Sequence, residues 1–156
     1  MMREILFRGK NVDNGKWVYG SYVEQYGAKE IYLQDGVDEH GFDRHHVIPE
    51  TVGQYAGLTD KNGKKIFEGD IFKFLDEVWE SSYTSCGTEY ASWEIGNYGV
   101  VGFDEDTARF GFIQYKYNEN SVAADFCNND VEFADFVKEL EIIGNIHDNP
   151  ELLKGE

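Results

Sequence analysis

Glycine rather than proline punctuates this chain: 17 glycines stand against two prolines, Pro49 and Pro150. Most of the glycines separate short apolar runs. Long helices tolerate that spacing badly, whereas strands joined by tight turns need residues that reach positive φ without steric cost. Asn-Gly is the best hairpin signal of this kind, because the tightest hairpin turns need positive φ at both central positions. One Asn-Gly, in Asp13-Asn14-Gly15, separates a run holding Ile5 and Phe7 from one holding Trp17, Val18, Tyr19 and Tyr22. A second, Asn62-Gly63, sits in the polar stretch between Leu58 and Ile66. Glu68-Gly69-Asp70 predicts a corner, with a strand following over Ile71–Leu75.

The same reading predicts a third early strand over Lys29–Gln34, with Ile31 and Leu33 on one face. Gly99–Phe103 and Ala108–Ile113 read as two more, joined by the acidic turn Asp104-Glu105-Asp106-Thr107. A final strand is expected over Ile142–Ile146. Only one segment has helical period: Phe133, Phe136, Val137 and Leu140 recur at i, i+3, i+4 and i+7, with Asn129 or Asp130 as N-cap. The fold class expected is therefore mainly β, with one short α-helix near residues 130–140. The Ser/Thr/Tyr/Gly-rich stretch from Val78 to Tyr98 reads as a long loop or an irregular hairpin.

Composition narrows the partner classes. The 11 Phe, 10 Tyr and 3 Trp exclude a disordered chain, which would combine high charge with few aromatics. The net charge is -16, made up of -4 over residues 1–78 and -12 over residues 79–156. A surface that negative repels phosphate backbones, so nucleic-acid binding is disfavoured in spite of the cations around Lys61–Lys73 and near the N-terminus. No apolar run approaches the roughly 20 residues of a membrane span, and MMREILFRGK lacks the apolar core of a signal peptide. A cytoplasmic protein with two reduced cysteines, Cys86 and Cys127, is the expectation.

Three separated blocks carry a family resemblance. They are MREILFRGK with the following DNGKWVYG, then TVGQYAGLTDKNGKKIFEGDIFKF from Thr51 to Phe74, then EIIGNIHDNPELL. In this order they resemble the YopX family of phage and prophage proteins, over nearly the whole chain. The resemblance implies a small N-terminal β unit over residues 1–50 and an SH3-type barrel over residues 51–150, leaving 151–156 as a tail. It also implies a phage or prophage source in Gram-positive bacteria. It brings no catalytic residue, because no activity of the family attaches to a motif.

Candidate chemistry is sparse. His40, Asp43, His45 and His46 have the donor types for zinc or another divalent ion. A strand would put His45 and His46 on opposite faces, so a solvated segment is the simpler reading and no metal or cofactor is assigned. Asp60-Lys61-Asn62-Gly63 has the wrong spacing for a calcium loop and reads as a turn. Cys86 and Cys127 have no cationic neighbour in sequence to activate a thiolate, with His147 as a candidate base. The carboxylate pairs Asp104/Asp106, Asp38/Glu39 and Glu77/Glu80 lie in polar stretches, where nothing splits their pKa values. The expectation is a non-enzymatic interaction module that docks on itself or on a host or phage protein. Two alternatives stand beside it: an acidic nucleic-acid mimic, and a nucleic-acid-related protein or enzyme using the His40–His46 segment.

Overall fold

A computed structural model describes residues 3–38, 41–84, 86–106, 108–118, 121–127 and 137–154. The chain is mainly β and forms two antiparallel sheets. The first contains β1 (Phe7–Lys10), β2 (Trp17–Gln25), β3 (Ala28–Asp38), β4 (Gly41–His46), β5 (Gly53–Thr59) and β6 (Lys65–Phe67), in the order β4-β3-β2-β1-β5-β6. The second contains β7 (Asp70–Thr84), β8 (Gly87–Asp104), β9 (Arg109–Asn118), β10 (Ser121–Cys127) and β11 (Ile142–Asn145), in the order β10-β9-β8-β7-β11. Among the described residues no register pair joins β10 to β11, the two ends of that sheet.

The turns expected from glycine are present. Gly15, Gly63 and Gly69 have φ of 67°, 80° and 81°, which places the permissive residue at each bend. Asn14 and Asn62 are not at positive φ, so the two Asn-Gly bends lie in longer connections, between Lys10↔Trp17 and Thr59↔Lys65, and not in the tightest hairpin turns. The Gly69 corner is where the chain leaves the first sheet and enters the second. Lys29–Gln34 lies within a longer β3, and β8 and β9 meet through the acidic turn. Most of the helix expected near 130–140 falls on residues 128–136, outside the described residues. At its end, Val137 is buried and Leu140 packs against the same core, as two members of the expected apolar face.

That core joins the sheets. Ala56 and Ile66 from the first sheet meet Phe72, Val101, Ile142 and Val137, with Phe110 and Phe112 packed alongside. Phe72 is fully buried and lies over its register partner Gly99, where an added Cβ would come within 2.3 Å of the ring. Leu6, Tyr55 and Phe67 form a smaller cluster under β1 and β5.

Gly20 on β2 is a second close approach, pairing with Phe7 on one side and Leu33 on the other. A Cβ there would lie 1.9 Å from the Tyr32 carbonyl oxygen, which is backbone and cannot rotate away. Gly20→Ala must part β2 from β3, and is expected to cost about 2–3 kcal/mol, read as a lower urea midpoint. An unchanged midpoint would show that the strands give way freely.

The segment from Val78 to Tyr98 is the main departure from the sequence reading. It is a regular hairpin whose β7–β8 register runs unbroken from Ile71↔Val100 to Thr84↔Gly87. β11 covers β7 only as far as Phe72, and β9 covers β8 only from Tyr98 onward. The eleven pairs from Phe74↔Asn97 to Thr84↔Gly87 are therefore a two-stranded ribbon with no third strand among the described residues. At about 3.3 Å per residue it spans roughly 36 Å.

Candidate functional site

On one face of β1 the chain is small: a Cβ at Gly9 would stand 3.0 Å from Val47 and 3.3 Å from Ile31, so those apolar groups close directly onto the strand. The residues that alternate with Gly9, Arg8 and Lys10, take the other face. Their cross-strand partners are Tyr19 and Trp17. The cations therefore lie beside aromatic rings before any tertiary contact is made.

Arg8 is 5% exposed and reaches the chain just after the Gly69 corner. Its guanidinium forms a 2.7 Å ion pair with Asp70, itself 1% exposed, and donates to the Glu68 carbonyl at 3.0 Å. The second Asp70 oxygen accepts the Phe67 backbone N–H at 2.8 Å. The rings of Trp17 and Phe67 flank the guanidinium at 4.6 and 5.0 Å. Among the described residues Arg8 Nε has no hydrogen-bond partner, and the two rings supply the guanidinium with cation–π contact instead. Burial pushes the Asp70 carboxyl above its ordinary value, while Arg8 and the Phe67 N–H pull it back.

The end of the chain closes over this centre. Asn145 Oδ1 accepts the backbone N–H groups of His147 and Asp148, which fixes a turn after β11. Asp148 then receives Asn145 Nδ2 at 2.8 Å and Trp17 Nε1 at 2.7 Å, and pairs with Lys10. Those hydrogen bonds, from Asn145 and Lys10 above all, hold its carboxyl far below the usual range. His147 packs beside Trp17, with centroids 6.0 Å apart. Burial lowers its pKa, and Arg8 and Lys10 lower it further against the opposing pull of Asp148.

These shifts fix the sign of a pH dependence. A histidine whose folded pKa lies below 6.5 resists a proton that the unfolded chain accepts, so stability falls as pH drops from about 7 through 6.5. His147→Gln is expected to flatten the stability profile between pH 5 and 7. A profile as steep as that of the parent chain would place the titrating group elsewhere. Asp148 acts in a lower window: its stabilisation is complete above 3.8 and is lost as pH falls below that value. Asp148→Asn is expected to cost about 1 kcal/mol at neutral pH, the modest size reflecting a half-exposed pair.

The residues singled out from sequence do not converge in the same way. His45 and His46 are consecutive on β4, and each meets a different neighbour. His45 Nδ1 lies 2.8 Å from Asn11 Nδ2 and its Nε2 3.4 Å from Asp43, while His46 Nδ1 lies 3.4 Å from Glu30. His40 is outside the described residues. Among the described residues no three His, Cys, Asp or Glu side chains come together as a metal site. Cys86 is exposed in the β7–β8 turn, and Asp104 accepts the Asp106 N–H within the acidic turn. Several cations weighed for nucleic acid are held by acids: Lys10 by Asp148, Lys61 by Glu141 at 2.9 Å, Lys65 by Glu4.

Sequence reasoning missed the Arg8–Asp70 pair. Its signal was indirect: Arg8, Trp17, Tyr19, Phe67, Asp70, Asn145 and Asp148 all fall in the motif blocks, which the fold draws into one place. What the centre does chemically is anchor. It ties β1, the corner between the sheets and the chain end together through charge, π contact and backbone hydrogen bonds.

No helix of the described residues is long and apolar enough to cross a membrane. Comparison with curated proteins gave no match. Among solved structures the chain is similar to the crystal structure of protein EF1440 from Enterococcus faecalis. The likeness covers 98% of this chain and 100% of that one, at 19% identity and a TM-score of 0.45. The family model described as YopX protein matches residues 6–154, which takes in every strand and all the residues of the anchoring centre. The chain belongs to the YopX protein family.

Proposed function

We propose that this protein is a non-enzymatic interaction module that docks on another protein chain. The observation behind this reading is the β7–β8 ribbon: eleven register pairs with both outer edges unshared among the described residues. A two-stranded ribbon is marginal in water, and its open N–H and C=O rows are templates for a further strand. The buried polar centre supports the reading from the other side, since its charged groups are spent on holding the fold. In this reading the protein is phage- or prophage-encoded and works in the host cytoplasm, as the family resemblance suggests. Light scattering with cross-linking in host lysate tests it. Association with a defined protein, or with a second copy, is expected; a strict monomer that cross-links to nothing would contradict it.

The distribution of charge favours a second reading, an acidic mimic of nucleic acid. Residues 79–156 carry -12 of the total charge. A mimic would displace DNA from a basic host protein, with an affinity that falls steeply as salt rises. Salt-insensitive binding would remove this reading.

A further inference from the structure

The ribbon has a composition as well as a shape. Residues 74–97 contain Asp76, Glu77, Glu80, Glu89 and Glu94 and no lysine or arginine. They also hold Trp79 and Trp93, two of the three tryptophans in the chain. Ribbons of two strands fit the major groove of DNA in shape, but five carboxylates without a cation exclude this one on charge. Charge also works against a second copy, because edge-to-edge pairing would bring two such ribbons together on chains of net charge -16 each.

We infer that the β7–β8 ribbon is a β-augmentation site for an extended, lysine- or arginine-rich segment of a partner protein. The segment adds as a third strand beyond Phe72 on the β7 edge, or before Tyr98 on the β8 edge, where β11 and β9 stop. Backbone hydrogen bonds along the edge supply affinity, and opposite charge selects the partner and its approach. This inference rests on the docking reading and adds the chemistry of the occupant.

The test uses the full chain and a labelled dodecapeptide alternating lysine and valine, followed by fluorescence anisotropy. Two comparison peptides separate charge from strand addition: one with two of its valines replaced by proline, and one with glutamate in place of lysine. The lysine-valine peptide is expected to bind at least tenfold more tightly than either. Replacing residues 78–93 by Asn-Gly, which closes the hairpin at the Glu77↔Glu94 pair, is expected to abolish that binding. Should the shortened chain fail to fold, the double variant Glu80→Lys with Glu89→Lys keeps the hairpin and is expected to weaken binding tenfold or more. Equal binding of the proline peptide would show charge without strand addition and overturn the inference. So would undiminished binding by the ribbon variants. If the chain cross-links to a partner in lysate but binds no lysine-valine peptide, docking stands and the basic strand falls.

Discussion

Asp70→Ala is expected to lower the free energy of unfolding by about 3–5 kcal/mol, the usual cost of stranding one member of a buried ion pair. The carboxylate is 1% exposed and neutralises Arg8, which is 5% exposed and has no water to turn to. Its loss also leaves the Phe67 N–H without its acceptor. Arg8→Met should cost a similar amount, leaving Asp70 as the unpaired charge. The double variant Arg8→Met with Asp70→Ala is expected to cost clearly less than the sum of the two, because both charges are removed together. Urea denaturation of the four proteins measures this cycle. Additive effects would show that the pair is not coupled.

Asp60→Ala carries the second large effect, about 2–4 kcal/mol, from several charge-assisted hydrogen bonds at one buried carboxylate. One Asp60 oxygen accepts the N–H groups of Asn62 and Lys64 at 2.8 and 2.9 Å, and so holds the turn around Gly63. The other accepts the Ile142 N–H at 3.2 Å, fastening β11 to the loop between β5 and β6. Burial raises this carboxyl, but the three backbone donors outweigh it and the net shift is downward. The stabilisation is therefore full above 3.8 and disappears as pH falls below it. Asp60→Asn should keep part of the turn and lose that acid dependence. A parent-like acid transition in Asp60→Asn would contradict the assignment.

The turns were legible in the sequence because their signal is local. Gly15, Gly63 and Gly69 state their φ requirement within a few residues, and each bend is found where expected, although Asn14 and Asn62 do not share the positive φ. Buried charge was not legible in the same way. Asp60 read as a turn residue and Arg8 as one of several scattered cations, since nothing nearby reveals partners as distant as Ile142 or Asp70. The ribbon was legible only as a loop or an irregular hairpin, for a different reason. Its Ser, Thr and Gly content resembles a loop, and no Asn-Gly stands between its two strands to mark the hairpin as elsewhere. Only the β-formers Val78, Trp79, Tyr83, Tyr90 and Trp93, without regular alternation, pointed to strands. For the candidate site, the motif blocks named the right segments, while the contacts among them came only from the fold.

The division of labour that results is simple. Arg8, Asp60, Asp70 and Asp148 secure the two sheets to each other and to the end of the chain, and the extended hairpin, the docking site proposed above, lies outside their contacts. Amide hydrogen exchange tests that division most directly. In the isolated chain, residues 74–84 and 87–97 are expected to exchange far faster than Ile71, Phe72, Val100 and Val101, whose strands have neighbours on both sides. Adding the lysine-valine peptide should slow exchange in the ribbon and leave the core unchanged. Ribbon amides already as protected as the core in the isolated chain, or protection gained elsewhere on binding, would contradict the account.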